Sequence, residues 1–372
     1  MDWSKGYSAA FYAMEVDPAT FRDRARIDIT GGNIKRTPTG LRNSATIDTP
    51  APVRGIEMYV RVYMDTEQDG EYGHEALFTG LATSPKRKTY DLVQDSSLDC
   101  YSVLKAADDV ILPRGWYAYA GTNSAQVLEE LLSVTPAPLI VADGAPALST
   151  TLIAEDNESR LSMAEKIVDA INWHMYIDGY GTVHVEPYSA DAVVTFDPAE
   201  HASIEAPLSV KEDWYGCPNV YRAIAGDLVA TVRDDNPESP LSTVKRGREV
   251  WKIDTNVNLS ANESIAEYAS RALRESQRVN KTISYNRRFE PSVQVGNVVR
   301  LHYPNQDVDG DFVVGSQTIT IGGCARTSET VVANVAYKED AADYKQPTIF
   351  HLIDNLENYI VTAEGDRIVF IE

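Results

Sequence analysis

The sequence predicts a mainly β protein with an α/β insert, an α+β fold class, and three observations carry that expectation. Residues 1–97 alternate apolar and polar side chains in short runs broken by turn residues, as half-buried strands do. Residues 98–202 change to helical spacing mixed with short strands. From residue 203 the period of two returns, so the order is β module, α/β unit, β module. At about 150 residues per domain, 372 residues suffice for two to three domains.

In the first module, residues 26–30 and 33–37 alternate on either side of Gly31-Gly32, which reads as a turn. Residues 56–64 keep period two, enter a polar loop from Asp65 to Gly70, and the sheet resumes at 76–80. Strands with turn signals about every 8–12 residues point to a sandwich or small barrel. In the middle unit, residues 98–110 and 124–133 carry helical spacing, the second placing Val127, Leu128, Leu131 and Leu132 on one face. Pro136-Ala137-Pro138 is a loop. A third helix is expected to open at the capping box Ser162-Met163-Ala164-Glu165 and to bury Ala164, Ile167, Val168 and Ile171. Residues 173–177 then pair with 182–186 across Asp178-Gly179-Tyr180-Gly181.

The second β module reads as strands at 219–225, 228–233 (after a Gly226-Asp227 turn), 249–255, 282–289, 297–303, 312–321 and 330–337. One helix over 260–279 interrupts them, opened by the box Ser260-Ala261-Asn262-Glu263, with Ile265, Tyr268, Ala269, Ala272, Leu273 and Val279 at three- and four-residue steps. Beyond Pro347, residues 359–362 and 367–370 flank Glu364-Gly365-Asp366 as a last hairpin. No period of about 20–50 residues signals a solenoid.

Charge and composition exclude several functions. With 34 basic against 55 acidic residues the net charge is −21, so the surface as a whole repels phosphate and counterion-releasing nucleic-acid binding is not the main activity. An apolar fraction of 43% with 24% charged residues describes a folded chain. No apolar run approaches the ~18 residues of a membrane helix, and Met1-Asp2-Trp3-Ser4-Lys5 lacks the layout of a secretory signal. Cys100, Cys217 and Cys324 form no C-x-x-C pair and are odd in number, which suggests neither a disulfide framework nor a zinc knuckle and points to reduced, cytoplasmic assembly.

The search for chemistry assigns no catalytic, cofactor-binding or metal residue. His174 and His184 lie on opposite arms of one predicted hairpin, but no third ligand stands at a fixed offset. Asp65, Glu67 and Asp69 begin like a calcium loop, yet position twelve is Ala76 where a bidentate Glu belongs. Asp307, Asp309 and Asp311 set three carboxylates at alternate positions around an Asp-Gly pair that also suits a hairpin turn. Calcium at either cluster stays open at this stage. Gly-x-Ser-x-Gly does not occur, and Cys217 between Gly216 and Pro218 reads as a turn thiol. The clusters Lys86-Arg87-Lys88, Lys245-Arg246-Gly247-Arg248 and Arg287-Arg288 read as solvated faces or contacts for acidic neighbours. Twenty Tyr against eight Phe suits half-buried sheet positions and protein interfaces equally. A structural or binding protein is favoured over an enzyme.

The opening Trp3-Ser4-Lys5-Gly6-Tyr7, followed by Val16-Asp17-Pro18-Ala19-Thr20, resembles the start of the tail hub (baseplate hub) proteins of long-tailed bacteriophages. So does Leu77-Phe78-Thr79-Gly80-Leu81-Ala82-Thr83-Ser84-Pro85, leading through Asp99-Cys100-Tyr101-Ser102-Val103-Leu104-Lys105 to Leu112-Pro113-Arg114-Gly115-Trp116-Tyr117. Val295-Gly296-Asn297-Val298-Val299-Arg300-Leu301 with Gly310-Asp311-Phe312-Val313-Val314 is similar to a strand pair of the family's second barrel. The likeness runs from residue 1 to about 345.

The resemblance implies two antiparallel β-barrel modules joined by a small α/β domain: a first barrel at 1–97, the α/β domain at 98–202, a second barrel at 203–345 with the helix 260–279 inserted, and a tail hairpin at 346–372. It implies a homotrimer in which six barrels form a pseudo-sixfold ring, adapting a hexameric tail tube to threefold tip components and lining the DNA exit channel. The implied partners are the distal tail protein, the tail tube and tape-measure proteins, and tip or fibre proteins. Genomic DNA would pass along an acidic wall without sequence-specific binding. The expected location is the virion tail tip after assembly in the host cytoplasm, without stable membrane insertion. Larger relatives continue into peptidase or lysozyme-like domains where this sequence ends at Glu372, so cell-wall cleavage is not expected of it, and residues 346–372 are expected to dock the next tip component or help close the channel. Two other classes are carried beside it: a host-surface carbohydrate-binding module, and a glycan hydrolase with two inward carboxylates about 5–9 Å apart.

Overall fold

The computed structural model describes residues 1–51, 57–90, 93–189, 191–199, 203–225, 228–255, 257, 264–277, 280–323, 325–333, 350–351 and 369–370. The chain divides into two compact units, Met1–Ser209 with Ile283–Val332, and Val210–Thr282 with Ala333–Glu372. As expected, strands dominate and the helices are few.

The first unit begins with β1 (Ser8–Val16), β2 (Asp23–Asp28), β3 (Gly31–Arg36), β4 (Asn43–Thr49), β5 (Met58–Gln68), β6 (Glu71–Tyr90) and β7 (Val93–Ser102). All pair antiparallel, β2 with β1, β1 with β5, β5 with β6, β6 with β7, β7 with β4 and β4 with β3. The expected loop from Asp65 to Gly70 is instead the end of a hairpin. β5 runs to Gln68, opposite Glu71, and the turn is only Asp69-Gly70, with φ of 51° and 86°. Two successive positive φ values match the twist of the flanking strands, which polar composition alone does not reveal. Gly31 and Gly32 likewise lie inside β3, opposite Asp48 and Ile47, rather than in a turn.

The helix expected over 98–110 shrinks to α1 (Lys105–Asp109), because Leu98, Cys100 and Ser102 bury one face of β7 at period two. The insert continues with β8 (Tyr117–Ala118), α2 (Ser124–Leu132), β9 (Leu139–Val141), β10 (Leu152–Ile153), α3 (Arg160–Ala170), β11 (Trp173–Ile177) and β12 (Val183–Pro187). Asn123 caps α2, and Val127, Leu128, Leu131 and Leu132 are buried, each worth about 1.5–3 kcal/mol. Helix α3 starts earlier than expected: Ser159 is the cap and accepts the Ser162 amide, while Ser162 Oγ donates to Glu158. Glu165 is thereby released to accept the Gly40 amide at 2.7 Å and to pair with Arg42 at 3.1 Å. Ala164, Ile167 and Val168 face the core together with Met175, Val183 and Val185.

After β13 (Ala192–Phe196), β14 (Ile204–Asp213) carries the chain across the unit boundary. The second unit holds β15 (Val220–Ala225), β16 (Leu228–Arg233), α4 (Thr243–Arg246), β17 (Trp251–Asp254) and α5 (Ile265–Ser276). The sheet order is β16-β15-β17, and Tyr221, Ala223, Ala230 and Val232 meet Ala269, Ala272 and Leu273 of α5. The expected box at 260–263 and the Gly226-Asp227 turn lie outside the described residues. A reciprocal box is present at Ser264 and Glu267: Ser264 N donates to Glu267 Oε2 at 2.7 Å, and Glu267 N to Ser264 Oγ at 3.2 Å.

The chain returns through β18 (Asn280–Arg288), β19 (Val298–Tyr303), β20 (Val308–Ile321) and β21 (Arg326–Ala333). Two short strands, β22 (Phe350–His351) and β23 (Val369–Phe370), pair antiparallel; of the hairpin expected between 359–362 and 367–370, only residues 369–370 fall within the described residues, and their partner here is 350–351. Strands from both predicted β modules join in one 13-stranded sheet, in the order β14-β18-β21-β20-β3-β4-β7-β6-β5-β1-β2, with β19 and, beyond it, β13 branching at β20, while β15, β16 and β17 of the second predicted module stay in their own sheet. Among the described residues no pairing closes it into a barrel. The join has a simple cause. β20 is 14 residues long, so residues 308–313 pair with β19 and residues 317–321 remain for β3.

Candidate functional site

Two sets of polar groups hold the first unit together at places where strands distant in sequence meet. The first is buried beside the β20–β3 join. Arg287 and Glu329 both have fully buried side chains, and Arg287 Nη2 donates to Glu329 Oε2 at 2.7 Å with Nε donating to Oε1 at 3.2 Å. The same carboxylate accepts Tyr285 Oη at 2.5 Å and Gln317 Nε2 at 2.7 Å. Arg36, on β3, donates to Gln294 Oε1 and to the Leu77 carbonyl, each at 2.8 Å. Burial, with Arg287 nearby, lowers the Arg36 guanidinium to about 10. Burial also works against the charge on Arg287, but Glu329 outweighs it and holds that guanidinium above the ordinary arginine value.

The second set docks the insert on the sheet. Arg61 of β5 donates Nη1 to Asp23 at 2.7 Å, Nε to Thr79 Oγ1 at 3.0 Å and Nη2 to the Tyr180 carbonyl at 3.0 Å. Thr79 Oγ1 donates to the Gly179 carbonyl at 2.8 Å. The turn between β11 and β12 therefore lies on β6, which is why β5 is buried on both faces from Val60 to Met64 rather than alternately.

His174 and His184, placed on opposite arms of the predicted hairpin, are not cross-strand partners: His174 stands opposite Glu186 and His184 opposite Tyr176. His174 stacks between Tyr188 (4.9 Å) and Tyr176 (5.5 Å), and Tyr176 stacks on His184 at 4.8 Å, giving a ladder of four rings. His174 Nε2 lies 3.4 Å from Glu186, and His184 Nε2 lies 3.0 Å from Asp178. Burial pushes His174 below the usual histidine range, with Arg42 adding to it and Glu186 opposing it. As pH falls below about 6.5 the unfolded chain takes up this proton first, so the stability is present above that pH and is lost on acidification. The expected result is a stability–pH slope between pH about 7 and 5 that is shallower in His174→Phe than in the wild type, read from urea midpoints.

In the two acidic clusters Asp65, Asp309 and Asp311 are ion-paired strand residues. Asp65 faces His74 Nδ1 at 2.6 Å, and Asp69 sits in the hairpin turn. Asp309 and Asp311 pair with Arg300 at 3.4 and 3.3 Å, and His302 Nδ1 lies 3.2 Å from Asp309. Asp307 closes a short 3-10 turn at φ 56°. Among the described residues no three His, Cys, Asp or Glu side chains gather as metal ligands. Cys100 and Cys217 are buried, and burial raises the Cys100 thiol to about 12. Of the basic clusters, Arg287 has its acidic neighbour, Arg246 and Arg248 bind backbone carbonyls, and the side chains of Lys86, Arg87 and Lys88 lie outside the described residues.

The architecture has solved counterparts. The 43 kDa tail protein of prophage MuSo2 from Shewanella oneidensis superposes with a TM-score of 0.64 at 12% identity, covering 88% of this chain and 98% of its own. A tail protein from Neisseria meningitidis MC58 gives 0.63 at 15% identity, covering 89% and 97%. The chain has the fold of prophage tail proteins. Prophage tail protein gp18 from Listeria monocytogenes EGD-e adds a TM-score of 0.52 at 11% identity over 87% of this chain and 94% of its own. No family model matches the sequence, and no curated protein matches it. Within this tail-protein fold, the sequence reading missed the residues that join its parts, Arg36, Arg61 and Glu329. Arg36 and Arg287 did carry a signal. Each sits at period two from buried apolar neighbours, Ile34 for the first, Ile283, Tyr285 and Phe289 for the second.

Proposed function

We propose that this chain is a structural virion protein, a homotrimeric tail-tip hub that adapts the hexameric tail tube to threefold tip components and lines the DNA exit channel. The observation that carries the reading is a fold shared with two tail proteins over 88% and 89% of this chain and 98% and 97% of theirs. In this reading residues 1–97 and 203–345 supply the two barrel-like modules of each protomer, and residues 98–202 the α/β domain between them. The join of β20 to β3 supports that plan, because it pairs a strand of the later module with one of the first. The partners are the distal tail, tube and tape-measure proteins and tip or fibre proteins, and the location is the tail tip. The charge of −21 supplies a wall along which DNA passes without adhering.

The test is native mass spectrometry and electron microscopy of the purified chain. The expected species is three times 41.1 kDa, and mixing with tube protein should give rings with threefold symmetry. A chain that stays monomeric at every concentration, alone and with tube protein, would refute the hub.

A further inference from the structure

A loop of the second unit combines exposed aromatic rings, a fixed backbone and local positive charge. Trp214 and Tyr215 follow directly on β14 and are 44% and 79% exposed. Their backbone is braced from α4 and the residue beyond it. Arg246 donates Nη1 to the Cys217 carbonyl at 2.6 Å and Nη2 to the carbonyls of Trp214 and Tyr215 at 3.2 and 3.1 Å. Arg248 Nη2 donates to the Tyr215 carbonyl at 3.2 Å, and its guanidinium lies 4.7 Å from the centre of the Tyr215 ring. The brace is itself fixed, since Ser242 caps α4 and Gly247 closes it at φ 61°. Trp214 Nε1 donates to Glu212, 3.1 Å away, so one edge of the indole is oriented as well. Aromatic side chains on a backbone already held in place lose little further freedom when they bind.

Basic side chains gather beside this loop, although Glu212 and Asp213 directly precede it, with Glu212 lying 3.9 Å from Lys281. Lys245 and Arg248 are exposed and Arg246 partly so, on a chain that carries 55 acidic against 34 basic residues. Nearby Glu249 is paired with Arg233 at 2.8 Å. Trp, Tyr and Arg are the residues that dominate binding energy at protein interfaces. Two copies of a chain with net charge −21 repel one another over most of their surfaces. Their contact is favoured where a basic patch of one meets acidic surface of the other, which an excess of 21 acidic residues makes plentiful.

We propose that Trp214, Tyr215 and Arg248 form a docking tip that seats on an acidic face of a second copy of this chain. The proposal rests on the assembly reading above and adds to it the residues that hold one copy to the next. The tip gives the contact both its apolar centre and its electrostatic sign.

The test is sedimentation velocity of the full-length chain over a dilution series, at low and high salt, for the wild type, Trp214→Ala/Tyr215→Ala and Arg248→Glu. All three changes are at exposed positions, and far-ultraviolet circular dichroism with thermal melts establishes that each variant is folded. The expected result is self-association weakened by about tenfold or more in the aromatic double variant. Arg248→Glu should weaken it most at low salt, and the gap from wild type should narrow as salt screens the charge. A photo-cross-linker at position 215 should join two copies through an acidic segment. Variants that fold and assemble as tightly as wild type overturn the docking tip while leaving the hub intact. So does a cross-link that forms only to tube protein or DNA. A wild type that never self-associates overturns both, which separates the two failures.

Discussion

Replacing Glu329 by alanine is expected to cost the first unit about 3–5 kcal/mol of folding stability, out of a typical total of about 5–15. The carboxylate is bonded through both oxygens to Arg287, whose side chain is fully buried, and it also accepts Tyr285 and Gln317. Removing it leaves a buried guanidinium without its bonded counter-charge and takes an acceptor from Tyr285 and from Gln317, with the Arg36 charge close by. The measurement is urea unfolding followed by the transition of the sheet-bearing unit, because two units need not unfold together. The midpoint should fall sharply with little change in slope. In the double variant Arg287→Met/Glu329→Leu, which removes both charges, much of the loss should return. If Glu329→Ala shifts the midpoint no more than an exposed substitution such as Glu67→Ala, this cluster does not hold the β20–β3 join.

Much of the local structure was legible because it is written in short-range period. The hairpin of β11 and β12, the face of α2 and the buried side of α3 all follow from side chains three, four or two residues apart. What was not legible depends on groups far apart in sequence. Ser162 and Glu165 have the spacing of a capping box, but Ser159 is the cap and Glu165 is engaged with Arg42 and Gly40, more than a hundred residues away. The double pairing of β20 was hidden for the same reason, since nothing in residues 308–321 says that the second half will find β3.

In the acidic clusters, too, the partners are set by strand pairing rather than by spacing: Asp65 stands beside His74, and Asp309 beside His302 and Arg300, across the strand pairs. The joining arginines stayed invisible because the sequence reading treated charge as a surface property. In Arg287 and Arg36 the period-two phase contradicted that, and phase is the better guide where the two disagree.

The second large effect is expected at Gly179, in the turn that docks the α/β insert. A Cβ at this position would lie 1.7 Å from the Ala76 carbonyl oxygen and 2.4 Å from its carbon. Both are backbone atoms of a central strand, so no side-chain rotation relieves the overlap, and the turn must lift away from β6. Lifting it breaks the bond from Thr79 to the Gly179 carbonyl and pulls the Tyr180 carbonyl from Arg61. Arg61 also holds Asp23, so the disturbance reaches the loop between β1 and β2. Gly179→Ala is therefore expected to destabilise the first unit by about 1–3 kcal/mol from overpacking, with the lost hydrogen bonds adding to it. Gly6→Ala, where a Cβ meets nothing within 4 Å, should stay within about 0.5 kcal/mol of wild type. Hydrogen exchange distinguishes local lifting from general loosening. Amides of residues 178–182 and of the β1–β2 loop should lose protection first, while those of α2 and α3 keep theirs. Equal protection in Gly179→Ala and wild type at 178–182 would mean that the turn does not bear on β6 as described.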